Sequence, residues 1–361
     1  VFSGNDRGAG VIGISMLTLN VEQAGGTLTY TRQLLRALGR VGELEYRVLL
    51  PAGTIGAEGG VPAVAVREFP AGRTRWSRTA AMARTLVAPG RLRAVVEAQG
   101  LDALHFPVGV MLPRVDSPPT ATTIHDLQHE EFPEFFSRGQ QAYRRRVYGW
   151  TIDRSRVLIA ISEHVRGLLI ERHGVYPERV VTIHHGIDHD LFSPRTDDRR
   201  PFLVYPANHW PHKNHDRLLE AVALVRRERP ELGLVLTGVG LGGWSVPDWV
   251  DVRGRVSDEE LVELYRTAAA LVFPSLSEGF GLPPLEAMAC GCPVAVSSAA
   301  SLPEVCGDAA VYFDPTSVED IARGIDDVLA DPPMGGVEQA ARFTWDECAR
   351  RHDAVYRHLT G

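Results

Sequence analysis

Short apolar runs alternate with polar stretches of helical period along most of this chain. Residues 11–19 form a β-rich run, and after a loop holding Gly25 and Gly26, residues 29–38 set Tyr30, Leu34, Leu35 and Leu38 at helical spacing. Strand-like runs recur at 46–50, 103–106, 120–124, 157–161 and 180–184, with helical segments such as 164–172 between them. That alternation predicts a parallel sheet covered by helices on both faces. A seam rich in Pro, Asp and Arg at 193–201 reads as a linker.

The pattern then restarts. Strands are expected at 202–206, 232–237, 271–273 and 293–297, and helices at 216–229, 258–268 and 283–290. Two βα halves joined by one hinge predict an α/β protein of two Rossmann-like domains, 1–194 and 195–344, whose sheets face a cleft at their carboxyl ends. The amphipathic end of the chain, 345–361, is expected to pack back on the first domain. A length of 361 residues suits two domains.

With 44% hydrophobic and 23% charged residues the chain reads as globular. No apolar run approaches the roughly 18–20 residues that span a bilayer, and residues 1–10 are polar and Gly-rich with no apolar leader core. Cytoplasm is the expected location. A net charge of -7 argues against nucleic acid as a partner. The charge is uneven, at +4 over 1–195 and -11 over 196–361. Two Arg-rich stretches, 73–93 and 138–156, offer the first domain a peripheral contact with an acidic membrane or an anionic acceptor. A solvated helix face in an Arg-biased chain is the favoured explanation of them.

The four cysteines lack C-x-x-C spacing and read as reduced, buried thiols. Of 38 basic side chains one alone, Lys213, is lysine. An ammonium is a compact point charge where a guanidinium is a flat fork.

Three segments carry candidate chemistry. In Ser275–Gly291 a strand ends, a Gly279-Phe280-Gly281 turn follows, and Pro283-Pro284 opens a helix. Amides at Phe280–Leu282 would face outward at the helix start and suit phosphate. Glu278 before the turn and Glu286 in the first helical turn are placed to accept hydrogen bonds from sugar hydroxyls. In the second segment, 205–216, Lys213 stands at a strand exit and could neutralise a diphosphate, with Asn214 or Asp216 capping the next helix. His209, His212 and His215 recur every three residues, but Pro211 keeps them off one helical face, and no metal site is expected. The third, Thr123–His129, leaves a strand with His125 able to hydrogen-bond a sugar and Asp126 able to orient its ring. Gly238–Gly243 satisfies G-x-G-x-x-G, yet Pro247 follows where a helix should begin, so it reads as a plain loop.

Together these residues resemble retaining glycosyltransferases of family 4, which have the GT-B fold. The resemblance runs from Gly25-Gly26 through His125-Asp126, Ile161-Ser162-Glu163, His185-Gly186-Ile187-Asp188, His212-Lys213-Asn214 and Gly254-Arg255-Val256. It ends in Glu278–Glu286, which matches the family's E-x7-E signature. It implies that Lys213 and the amides near Leu282 bind a diphosphate, and that Gly26 lets the first-domain loop approach it. Glu278 with the Gly279–Gly281 amides would hold the donor sugar, and His125 would contact it. Glu286 would take the ribose, and backbone at Arg255 and Val256 the base. Neither metal nor cofactor is implied beyond the nucleotide-sugar substrate. The reaction that the resemblance implies is a hexosyl transfer to a hydroxyl of a glycan, glycolipid or natural product, with the leaving phosphate helping to deprotonate it. Asn208 stands where many members carry a second diphosphate-binding Arg. An epimerase-like or phosphorylase-like enzyme, or a silent sugar-nucleotide binder, remain the alternatives.

Overall fold

A computed structural model describes residues 10–18, 26–52, 54, 59–70, 89–195 and 198–361. Gly25, Trp76 and most of the Arg-rich stretch at 73–93 lie outside them. The chain divides into two compact units, one of residues 1–127, 136–184 and 345–361, the other of 128–135 and 185–344.

The first unit is built on a seven-stranded sheet: β1 (Val11–Ser15), β2 (Glu45–Ala52), β3 (Ala63–Pro70), β4 (Ala103–Phe106), β5 (Thr120–Ile124), β6 (Val157–Ala160) and β7 (Val180–Thr182). Their order is β3-β2-β1-β4-β5-β6-β7 and every pairing is parallel. β4, β5 and β6 are buried at every position, as strands covered on both faces must be. Among the described residues the helices of eight or more residues are α1 (Gly26–Val41), α2 (Pro89–Glu97), α3 (Arg138–Arg154), α4 (Glu163–His173) and, from the far end of the chain, α9 (Trp345–Thr360).

The second unit repeats the plan with β8 (Arg200–Pro206), β9 (Gly233–Thr237), β10 (Val250–Gly254), β11 (Ala268–Phe273), β12 (Val294–Ser297) and β13 (Val311–Phe313). Their order, β10-β9-β8-β11-β12-β13, is again wholly parallel. Its longer helices are α5 (His215–Val225), α6 (Asp258–Thr267), α7 (Leu282–Ala289) and α8 (Val318–Ala330). Each unit is therefore a doubly wound Rossmann-like layer, the architecture of GT-B proteins.

Strands β3, β10 and β13 are absent from the sequence expectations. All three lie at sheet edges, and in β10 exposed positions alternate with buried or half-buried ones, which breaks its apolar run. The seam at 193–201 is shorter than expected, since β8 already begins at Arg200.

Residues 138–154 form one helix, α3, opened by a capping box in which Ser137 and Gln140 bond each other's backbone. Arg145 and Arg146 are exposed, whereas Arg144 lies over Phe136 at 4.8 Å and Arg114 over Trp150 at 4.5 Å. Among the described residues no helix is long and apolar enough to cross a membrane.

α9 closes the first unit. Trp345, Cys348, Ala349, Val355, Tyr356 and Leu359 share one core with Tyr30, Leu34, Leu35 and Leu38 of α1. Ion pairs Arg40–Asp346 and Arg357–Glu43 flank that seam. Trp345→Ala is expected to cost about 3–5 kcal/mol through the cavity it leaves. Urea unfolding of the full chain should show the earlier transition; an unchanged midpoint would mean that α9 is an appendage.

Candidate active site

In the second unit the connections from the two central strands diverge: β8 leads to β9 on one side, and β11 leads to β12 on the other. Such a switch in strand order leaves a crevice at the carboxyl ends. Lys213 follows β8 and Glu278 follows β11, so both residues belong to its rim. Lys213 Nζ donates to Glu278 Oε1 at 2.5 Å, with side chains only 14% and 12% exposed. The ammonium also stands 5.6 Å above the Phe273 ring. Water is thus largely withdrawn from an ion pair whose charges match a diphosphate and a hydroxyl-rich sugar.

The two loops are stitched together beneath that pair. After a 3-10 turn over Pro211–Lys213, Asn214 takes a left-handed conformation (φ 61°). Its amide donates to the carbonyls of Pro274 at 3.0 Å and Pro315 at 2.7 Å, while its oxygen accepts from Arg217 at 2.9 Å. Asn214 occupies the cap position of α5 but makes no side-chain cap, contrary to expectation. The Leu276 amide donates to His212 O at 2.8 Å, and the Tyr205 hydroxyl to Lys213 O at 2.6 Å. The backbone on both sides of the ion pair is therefore held by buried bonds.

The Glu278–Leu282 turn is fixed from two sides. Phe280 points inward, its ring 5.0 Å from His185 and 5.7 Å from Phe343. The Ser301 hydroxyl lies 2.9 Å from Glu278 O and 2.8 Å from Phe280 O, and its single proton serves one carbonyl at a time. Gly281 sits at φ 108°, where a Cβ would stand 2.7 Å from Leu302 Cδ2. Leu282 is the first residue of α7 and Pro283 and Pro284 are the next two. Proline has no N–H, so the Leu282 amide is the first-turn donor left for an anion.

Glu286 lies in the second turn of α7, one turn deeper than expected. It accepts from the Tyr265 hydroxyl at 3.2 Å. Burial raises its pKa to about 7, against the opposing effect of that hydrogen bond. Asn208 directs its carboxamide oxygen to the Val239 amide at 2.8 Å, which leaves its NH₂ side as a donor. Arg255 and Val256 follow β10 at the sheet edge, Arg255 exposed. Gly238–Gly243 is a loop with no helix after it, and a Cβ on Gly238 would fall 2.3 Å from Ala207 O.

In the first unit His125 follows β5. Its Nε2 is 2.7 Å from Pro107 O, so that nitrogen carries the proton. Burial lowers its pKa, the Pro107 bond opposing, and the neutral ring then has Nδ1 as acceptor. Gly26 opens α1 and is exposed; a Cβ added there would have nothing within 4 Å. Among the described residues no three His, Cys, Asp or Glu are grouped to hold a metal ion. The four cysteines are free and buried. Tyr265, Ser301 and Pro107 had no sequence signal, because each meets its partner across a separate element.

Residues 24–191 match the glycosyltransferase family 4 model and residues 187–344 the glycosyl transferases group 1 model. Over 268 residues the chain is 31% identical to O-antigen chain mannosyltransferase B of Escherichia coli, covering 66% of this chain and 70% of that one. The chain belongs to glycosyltransferase family 4. It is a glycosyltransferase, moving a sugar from a nucleotide-diphosphate donor to an acceptor. It is also 32% identical over 237 residues to the MMP alpha-(1->4)-mannosyltransferase of Mycolicibacterium hassiacum, spanning 59% of this chain and 58% of that relative. In structure this family 4 member resembles sucrose-phosphate synthase of Thermosynechococcus elongatus, with a TM-score of 0.77 at 21% identity over 97% of this chain and 99% of the other. It also resembles Anabaena HepE in complex with UDP and glucose, with a TM-score of 0.72 at 17% identity over 97% and 100%.

The ion pair yields a stability test. Lys213→Met leaves a mostly enclosed carboxylate without its partner and should destabilise the second unit by about 2 kcal/mol. Adding Glu278→Leu should recover most of that loss, because no charge is then stranded. Equal urea midpoints for wild type and Lys213→Met would contradict a pair formed in the free enzyme.

Proposed function

We propose that this enzyme is a retaining hexosyltransferase in which Lys213 binds the donor diphosphate and Glu278 the donor sugar. The observation that carries the proposal is their enclosed ion pair at the strand-order switch. In the resting pair each group satisfies the other. On donor binding the ammonium transfers to the diphosphate, and the carboxylate, with the Gly279–Gly281 amides, accepts the sugar hydroxyls. The Leu282 amide and the positive end of α7 add to the charge on the leaving phosphate. Glu286, steadied by Tyr265, takes the ribose hydroxyls, and the Arg255–Val256 backbone the base. Gly26 leaves room for the diphosphate, and the Asn208 NH₂ donates to it without supplying charge. Neutral His125 accepts from a sugar hydroxyl through Nδ1.

The leaving phosphate draws the acceptor's proton as the new bond forms on the same face. Catalysis is then positioning plus stabilisation of the leaving group. Mannosyl is the first donor group to test, since the relatives named above transfer mannose. A glycan hydroxyl is the acceptor class on the same ground. The work would be done in the cytoplasm, where nucleotide sugars are made. The exposed Arg145 and Arg146 are its candidate contact with anionic lipid, to be checked by sedimentation with acidic vesicles.

Lys213→Ala should lower kcat by about three orders of magnitude, the scale of losing one leaving-group stabiliser. Nucleotide release in the presence of acceptor measures it, and near-normal turnover would remove Lys213 from the mechanism. A pH test follows from Glu286. Only its carboxylate accepts from two ribose hydroxyls, so kcat/KM for the donor should rise as pH climbs through about 7 and then level. Glu286→Gln should flatten that limb; an unchanged limb would assign the titration to another group.

A further inference from the structure

A buried hydrogen-bond chain crosses the interior of the first unit and ends beside His125. Its members are Tyr356 and His352 of α9, His105 of β4, Thr123 of β5 and Tyr30 of α1, each 0% exposed. Tyr356 Oη lies 2.7 Å from His105 Nδ1, and His105 Nε2 lies 2.8 Å from Thr123 Oγ1. Tyr30 Oη lies 3.0 Å from Thr123 Oγ1 and 2.8 Å from His352 Nε2. His352 Nδ1 lies 2.8 Å from Cys348 O.

That last contact sets the direction of every other bond. A carbonyl only accepts, so His352 Nδ1 carries the proton. Burial keeps His352 and His105 neutral, which makes His352 Nε2 the acceptor of the Tyr30 hydroxyl. Tyr30 oxygen then accepts from Thr123, Thr123 oxygen accepts from His105 Nε2–H, and His105 Nδ1 accepts from Tyr356. Every proton has one place, as a buried polar network requires if it is not to cost more than an apolar core.

The Tyr30 ring held in this way meets the His125 ring edge to face, centroids 5.0 Å apart at 80°. Thr123 lies two residues before His125 at the same strand exit. We infer that Tyr30 is a positioning residue for His125: the hydrogen-bond chain from α9 locks the tyrosine ring, and the ring locks the imidazole in the plane that Pro107 selects. The inference rests on the assignment of His125 to the donor sugar. It gives α9 a part in transfer although α9 carries none of the residues assigned to the donor.

The test uses the full chain with Tyr30→Phe, Thr123→Val and Thr123→Ser, each in wild-type and His125→Ala backgrounds, with folding followed by circular dichroism. Tyr30→Phe and Thr123→Val should lower kcat about tenfold with donor KM nearly unchanged, the scale of a small misplacement. Thr123→Ser should restore the rate. In the His125→Ala background, itself much slower, the same changes should add nothing. Equal losses in both backgrounds, or full activity of Tyr30→Phe, would overturn the inference. If His125→Ala were itself fully active, the donor-sugar assignment of His125 would fall instead. The positioning is then still read by imidazole ¹⁵N resonances: one Nε2–H tautomer of His125 in the wild type and a mixture in Tyr30→Phe support it, and an unaltered tautomer refutes it.

Discussion

Parallel strands buried on both faces govern where chemistry can occur in this enzyme. Such strands give no polar side chain a route to solvent through the sheet, so functional groups collect where the strands end. Lys213, Glu278, Arg255 and His125 all follow the carboxyl ends of strands. In the second unit the crevice opens where the order reverses between β8 and β11, and those two strands deliver the ammonium and the carboxylate that meet there.

Holding those charges together demands rigid loops, and the surrounding residues supply the rigidity. Asn214 spends its amide on two carbonyls of other loops instead of on its own helix. Ser301 ties down one or the other carbonyl flanking Gly279, and Phe280 anchors the same turn against aromatic rings. Pro283 and Pro284 start α7 while removing two amides, which concentrates the helix's anion-binding capacity on Leu282. Glu286 illustrates the opposing pull of burial and hydrogen bonding. Desolvation moves its titration to about 7, into the range where cells work, and Tyr265 restrains the shift.

The first unit follows the same sheet plan with a different interior. Beneath His125 the core holds two histidines, two tyrosines and a threonine in one directional sequence of bonds, where an apolar core would be simpler. Part of that interior comes from α9, which lies far along the chain from the strands it covers.

The sequence by itself determined the alternation of elements, the central strands, and the carriers of chemistry. β4 and β5 fall where their strand-like runs of apolar and β-branched residues predict them, and the Glu278–Glu286 signature and Lys213 point to the family without coordinates. These signals are local, being periodicity, turn residues and spacing within one segment. Edge strands such as β10 escaped because one exposed face breaks the run that marks a strand. Only the tertiary structure decided that Lys213 and Glu278 form a pair, that Tyr265 restrains Glu286, that Asn214 bridges loops instead of capping, and that Tyr30 stands between α9 and His125. Each depends on partners brought together by sheet order and helix packing, and no pattern within a single segment encodes the direction of a side chain toward a distant one.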